Sequence, residues 1–139
     1  MRRKNYSLSG KEKDLIIARI SKLLAGQPEI TFAYLYGSFP GNLPFHDLDV
    51  AIYVENIDLK MSSHYVLQLA QELSISTKVP VDVKILNKAP CPFVYQVIRG
   101  QLLVEKNPDL RCRFVERTIR QYLDIKPILR RATKEAFAS

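Results

Sequence analysis

The stretch "YLYGSFPGNLPFHDLDVAIYV", residues 34–54, has the pattern of two apolar strands joined by a polar turn and loop. The first strand ends at Gly37 and Ser38. The second strand opens with Asp47 and Asp49, which alternate with apolar residues. Alternate residues of a strand point to one face, so the two carboxylates lie side by side while the apolar residues face the core. Half-buried carboxylates need cations or hydrogen-bond donors, so the pattern predicts a positively charged ligand here.

A third aspartate, Asp82, lies in the later apolar stretch "VDVKIL", residues 81–86. Magnesium prefers oxygen ligands and keeps coordination positions open for phosphate oxygens, so Asp47, Asp49 and Asp82 are candidate ligands of a two-magnesium site. Any one of these aspartates alone is equally well explained as a solvated strand-end residue. The order of all three, together with the preceding turn, favours a site for phosphoryl chemistry.

The turn at Gly37 and Ser38 completes this candidate site. A glycine permits a tight turn from strand to loop, and consecutive backbone N–H groups there can hold a phosphate. A glycine-serine pair is weak evidence alone. Followed by the strand aspartates, it predicts a phosphate-binding turn.

Length and composition predict one domain over residues 1–139, because 139 residues with 47% apolar content suffice for one core. We expect the core of this domain at about residues 9–106 and a C-terminal helix at about 108–136. The apolar periodicity predicts, in order, helix 9–26, strand 30–36, strand 47–54, helix 62–76, strand 81–86, short helix 90–100, strand 101–106 and a long helix after Asn107 and Pro108. This order indicates an α/β mixture, a small mixed sheet flanked by helices.

Three helix boundaries have specific signals. Ser9 with Glu12 three residues later forms the pattern of a capping box, and Gly26 marks the end of the same helix. Pro127 is expected to end or kink the last helix. Leu110, Phe114, Ile119 and Leu123 give that helix an apolar stripe.

The net charge of +7 is concentrated at the two ends of the chain. Residues 1–25 carry seven Lys or Arg against two acids, and residues 107–139 carry eight against four. These basic ends are either solvated helix faces or a surface for an acidic partner. No nucleic-acid-binding pattern supports direct nucleic-acid binding, which is not expected. With no apolar run that could span a bilayer and no signal peptide, we expect a cytoplasmic protein with no membrane contact.

The motif "YGSF" followed by "DLDVAIYV" resembles the Gly-Ser…Asp-x-Asp signature of the minimal nucleotidyltransferases of the DNA polymerase beta superfamily, and Asp82 matches their third carboxylate. The segments "LNKAPCPFVYQVIRGQLLVEKN" and "RTIRQYLDIKPIL" resemble the nucleotidyltransferase half of two-gene toxin–antitoxin modules, whose partner is a HEPN-domain ribonuclease. The resemblance covers about residues 9–131. It implies a polymerase-beta-like nucleotidyltransferase fold.

The resemblance also implies roles for the motif residues. Gly37 and Ser38 would hold the triphosphate of ATP, Asp47 and Asp49 would bind magnesium, and Asp82 would help to activate the acceptor hydroxyl. The loop between Ser38 and Asp47 departs from the family, because it has only eight residues and contains "PGNLPF" where an Ala-Arg-Gly step is common. His46 also replaces a small hydroxyl residue. The missing arginine removes a contact to the triphosphate.

The function implied is that of a nucleotidyltransferase antitoxin that transfers AMP from ATP to a HEPN ribonuclease toxin. The chain has no length for a second domain that would bind a small acceptor, which favours a protein acceptor. Two alternatives stay open. One is a catalytically weak antitoxin that acts by binding its partner, which the altered loop favours and the three retained aspartates oppose. The other is a small-molecule (antibiotic) nucleotidyltransferase.

Overall fold

The computed structural model describes residues 9–37 and 47–138. Its helices and strands follow the predicted order: α1 (Gly10–Ala25), β1 (Ile30–Tyr36), β2 (Leu48–Val54), α2 (Ser62–Thr77), β3 (Val81–Ile85), α3 (Cys91–Ile98), β4 (Gln101–Glu105) and α4 (Pro108–Ala138). One turn of 3-10 helix, Leu59–Met61, precedes α2. Within the described part of the chain, no helix is both long enough and apolar enough to span a membrane.

The four strands form one mixed sheet in the order β3-β2-β1-β4. Strand β1 pairs antiparallel with both β2 and β4, whereas β2 and β3 are parallel. Strands β1 and β2, which follow each other along the chain, are thus antiparallel neighbours, and the connection from β2 to β3 crosses over through α2. The prediction of a mixed sheet flanked by helices is confirmed.

Helices cover both faces of the sheet. Helices α1 and α2 pack on one face, where Ile20 and Leu73 contribute fully buried side chains. Helices α3 and α4 pack on the other face against a cluster that is rich in aromatic residues: Phe32, Tyr34, Tyr36, Val94, Val97 and Phe114. Strand β1 is buried along its whole length because it has a neighbour on each side and helices on each face. The continuous apolar run of this strand is the sequence pattern of such a position.

The predicted helix caps are present. The Ser9 hydroxyl accepts a hydrogen bond from the Glu12 backbone N–H at 3.2 Å, and the Ser9 N–H donates to the Glu12 carboxylate at 3.4 Å. Gly26 is the C-cap residue of α1. At the start of α4, the Asn107 side-chain oxygen accepts from the Leu110 N–H at 3.1 Å. The two N-caps satisfy backbone N–H donors that have no partner inside the helix, and the Gly26 N–H donates to the Lys22 carbonyl at the C-terminal end of α1.

Helix α4 continues past Pro127 to Ala138, close to the predicted bounds of 108–136, so the proline does not end this helix and the alternative of a kink stays a prediction. A proline inside a helix removes one hydrogen bond to the carbonyl four residues earlier, which here belongs to Leu123. Both residues are exposed, and water can therefore solvate that carbonyl. Of the predicted apolar stripe, Phe114 is buried, whereas Ile119 and Leu123 are 40% and 59% exposed.

Candidate active site

Three strands bring a tyrosine and two aspartates into one row across the sheet. Tyr36 of β1 pairs with Asp49 of β2, and Asp49 pairs with Asp82 of β3. Asp47 lies directly before β2, and its carboxylate is close enough to Asp49 to raise the pKa of that carboxyl. Leu48 is fully buried on the face opposite Asp49. The structure therefore places Asp49 and Asp82 on the face that α3 and α4 cover, with Asp47 close to them at the same end of the sheet.

Asp49 is the half-buried member of this row. Burial raises the pKa of its carboxyl above the ordinary value, and the nearby Asp47 and Asp82 raise it further. Lys84, two residues after Asp82, partly offsets these effects by lowering the same pKa. The charged form of Asp49 is thus disfavoured by its surroundings. A positive ligand would remove that penalty.

Tyr36, the last residue of β1, belongs to this row but was not among the site residues that the motifs predicted. Its side chain is 6% exposed. Burial raises the pKa of its phenol strongly, and Asp49, Asp82 and Asp47 add to the rise in that order. All three carboxylates therefore act on one hydroxyl group, which stays protonated at neutral pH and can donate a hydrogen bond. No sequence motif marks Tyr36 as a site residue. Its position beside Asp49 follows from the antiparallel pairing of β1 with β2.

Gly37 lies against the carboxylate of Asp49. Its φ angle is +84°, in the region that favours glycine, and a Cβ atom at this position would lie 2.8 Å from Asp49 Oδ2. The turn therefore requires glycine for its backbone conformation and for the space beside the carboxylate. Ser38 and His46 lie outside the described residues, so the role predicted for Ser38 stays a prediction.

Two cavities lie at the strands that carry these residues, one at the end of β1 and one beside β3. The cavity at the end of β1 has a volume of about 370 Å³ and is lined by Tyr36, Gly37, Gln96, Arg99 and Gly100. The cavity beside β3 has a volume of about 730 Å³, and the residues that line it include Val66, Val83, Lys84, Asn87 and Phe93. Both volumes are in the range of small-molecule sites.

The chemistry of the aspartate set fits a hard cation. Three carboxylates supply only oxygen donors, which magnesium prefers, and their repulsion on Asp49 would be relieved by a positive ion. The side chains are not arranged as a complete ligand set, since residues 9–37 and 47–138 contain no group of three His, Cys, Asp or Glu side chains positioned to hold a metal. The donor types therefore fit a metal, whereas the positions of the side chains do not form a finished metal centre.

Comparisons with known proteins agree with this fold. The model of the family "Polymerase beta, Nucleotidyltransferase" matches residues 18–109. Among curated proteins, no sequence matches the chain.

Solved structures share the fold over nearly the whole chain. One is a tri-AMPylated Shewanella oneidensis HEPN toxin in complex with an MNT antitoxin, with 24% identity, a TM-score of 0.68, and coverage of 91% of this chain and 99% of the other. The toxin–antitoxin MntA-HepT has 23% identity, a TM-score of 0.67 and the same coverage. A toxin–antitoxin structure with AMP-PNP has 21% identity, a TM-score of 0.64, and coverage of 94% and 100%.

Proposed function

The chain belongs to the polymerase beta nucleotidyltransferase family, and from this membership we propose that it is an antitoxin that transfers AMP from ATP to a HEPN ribonuclease toxin. The row formed by Tyr36, Asp49 and Asp82 carries the proposal, because it joins the motif carboxylates beside a glycine turn. A similar solved structure contains a tri-AMPylated HEPN toxin, and another contains AMP-PNP. ATP as donor and a ribonuclease as acceptor favour the cytoplasm as the compartment.

The proposed donor side of the site is at the end of β1. The backbone N–H groups of Gly37 and Ser38 hold the phosphates of ATP. Asp47, Asp49 and Asp82 would hold magnesium, which when bound neutralises these carboxylates and stabilises negative charge on the phosphates. The protonated phenol of Tyr36 lies close to these carboxylates and is available to them as a hydrogen-bond donor.

The proposed acceptor side is at β3. Asp82 is exposed on this edge strand, and the cavity of about 730 Å³ begins with the residues that follow it. We propose that the acceptor hydroxyl enters from this cavity and that Asp82 accepts its proton as the oxygen attacks the α-phosphate. Pyrophosphate then leaves on the opposite side, toward Gly37, as an in-line displacement requires.

A catalytically weak antitoxin that acts by covering its partner is the second candidate. The loop sequence "PGNLPF" favours it, because this loop offers no cation to the triphosphate. The three aspartates oppose it, because binding alone needs none of them. Modification of the partner distinguishes the two functions.

We expect the protein, incubated with a HEPN toxin, ATP and magnesium, to add the mass of AMP to the toxin. Asp82→Asn removes the proton acceptor with little change in volume, and we expect it to stop the addition while the complex still forms. Intact-mass spectrometry measures the addition, and size-exclusion chromatography measures the complex. The matched control is Asp124→Asn on the exposed face of α4, which should leave the addition unchanged. An unmodified toxin whose ribonuclease activity is nevertheless inhibited would establish the binding antitoxin instead.

Magnesium is expected to strengthen ATP binding by about tenfold or more, which corresponds to about 1.4 kcal/mol. The ion would relieve the repulsion among the carboxylates and contact the phosphates as well. Calorimetric titration of ATP in magnesium and in EDTA measures the difference. Adenosine, which has no phosphates, serves as the control and should bind equally in both conditions. Equal affinity for ATP in the two conditions would contradict the proposed metal site.

A further inference from the structure

The cavity at the end of β1 contains a cation that the motifs do not include. Arg99 follows α3 directly and lines this cavity together with Gly37. Among the described residues that line it, Arg99 is the one with a charged side chain. Residues 38–46, which follow the glycine turn, contain no lysine or arginine. A cation that could bind a ligand at Gly37 therefore has to come from another part of the chain, and Arg99 at the end of α3 is such a cation.

Backbone packing fixes the position of Arg99 relative to the glycine turn. The next residue, Gly100, lies so close to β1 that a Cβ atom there would be 2.2 Å from the carbonyl oxygen of Leu35 and 3.1 Å from Cα of Tyr36. The connection between α3 and β4 is thus pressed against the last residues of β1. Because Gly37 follows Tyr36 directly, the backbone of Arg99 is held at the rim of the cavity that Gly37 lines.

Aromatic packing supports the side chain of Arg99. Its guanidinium carbon lies 5.7 Å from the centre of the Tyr95 ring. The other ring of this stack is Tyr122 of α4, whose centre lies 3.7 Å from that of Tyr95 with an angle of 2° between the planes. A guanidinium that is held against an aromatic ring loses less freedom when it binds a ligand.

Arg99 is exposed and has no carboxylate within 4.0 Å among residues 9–37 and 47–138. By contrast, Arg111 forms an ion pair with Glu105, and Arg120 forms one with Glu116. The N–H donors of Arg99 are therefore not neutralised by an internal carboxylate. A planar fork of such donors matches phosphate oxygens in a bidentate geometry.

We propose that Arg99 binds the triphosphate of the donor nucleotide at Gly37, as a phosphate-binding residue outside the Gly-Ser…Asp-x-Asp motif. This inference rests on the proposed function, which supplies the nucleotide. Arg99 would face the phosphates from α3 while the carboxylates face them from β2 and β3. Its positive charge stabilises the negative charge that develops on the pyrophosphate as it leaves.

The test compares Arg99→Gln, Arg99→Lys and the wild type in calorimetric titrations with ATP, tripolyphosphate and adenosine, all in magnesium. Loss of a charge-assisted hydrogen bond predicts ATP and tripolyphosphate affinities about 10- to 100-fold weaker in Arg99→Gln, with an intermediate loss in Arg99→Lys. Adenosine should bind all three proteins equally, because it has no phosphates. Arg117→Gln, on an exposed part of α4, is the matched control and should bind ATP as the wild type does.

Three results would overturn this assignment: an unchanged ATP affinity in Arg99→Gln, an equal loss for adenosine, or a wild type that binds neither ATP nor tripolyphosphate. An equal loss for adenosine would mean that Arg99 only supports the structure. A wild type that binds tripolyphosphate through Arg99 but does not bind ATP would support the phosphate site and refute the proposed donor. The two proposals can thus fail separately.

Discussion

Asp49→Asn is expected to lower the rate of AMP transfer by about a thousandfold or more, a loss of about 4 kcal/mol of transition-state stabilisation. Asp49 is the central member of the row, between Tyr36 and Asp82, so it lies between the proposed donor side and the proposed acceptor side. The same substitution should raise the melting temperature of the magnesium-free protein at neutral pH. Asparagine keeps nearly the same volume but removes a half-buried charge that Asp47 and Asp82 repel.

The direction of the stability change follows from the raised pKa of Asp49. A carboxyl with a higher pKa in the folded protein binds its proton more tightly there than in the unfolded chain. The free energy of unfolding therefore falls as the pH rises through the folded-state pKa, and the loss is complete above it. In EDTA, which removes magnesium, the stability of Asp49→Asn should not fall with rising pH in this way. Thermal unfolding at several pH values measures the difference. Asp124→Asn, the exposed control, should retain the fall, and a variant less stable than the wild type at neutral pH would contradict the electrostatic account.

Gly100→Ala is expected to destabilise the fold by about 3 kcal/mol, at the upper end of the cost of overpacking. The added methyl group would meet the backbone of Leu35 and Tyr36, which is held in the central strand of the sheet and cannot move aside as a flexible side chain could. Urea unfolding measures the loss. Gly26→Ala is the matched control, because the nearest atom to its Cβ would be 3.5 Å away and its φ of −75° suits alanine. We expect this control to be neutral or slightly stabilising.

Equal stabilities of the two alanine variants would show that the α3–β4 connection can move away from β1. In that case, Gly100 would not hold Arg99 beside the glycine turn. A destabilised Gly100→Ala that also binds tripolyphosphate more weakly, under conditions in which it is still folded, would connect the packing of Gly100 to the phosphate site.

The sequence predicted the local elements because each depends on short-range signals. The capping box at Ser9 and the continuous apolar run of β1 are fixed by neighbouring residues, and both were found where expected. The order of strands was not available in the same way. The parallel pairing of Asp49 with Asp82 joins residues 33 positions apart, and it depends on the crossover through α2 rather than on any local pattern. For the same reason, no sequence motif indicated that Tyr36 lies beside the carboxylates or that Arg99 lines the cavity beside Gly37.

The sequence predicted the apolar stripe of α4 but not which part of it would be buried: Phe114 is buried, whereas Ile119 and Leu123 are exposed. Helix α3 reaches this part of α4, because Tyr95 stacks on Tyr122 and the Cys91 thiol donates to the Thr118 carbonyl oxygen. Ile119 and Leu123 each follow one of these contact residues, so they lie about 100° around α4 from the side that α3 covers. The periodicity of a helix shows which side is apolar, but it does not show which side its neighbour covers.

The pairing of strands that aligns Asp49 with Asp82 also divides the site into parts that can evolve at different rates. The two carboxylates are positioned by the parallel pairing of β2 with β3. Insertions, deletions or substitutions between Gly37 and Asp47 can therefore accumulate without changing the spacing of the aspartates. A lineage could in this way adjust its affinity for the donor, or lose it, and keep an intact row of carboxylates. Retention of the aspartates and retention of turnover are consequently separate traits in such chains, and each has to be measured on its own.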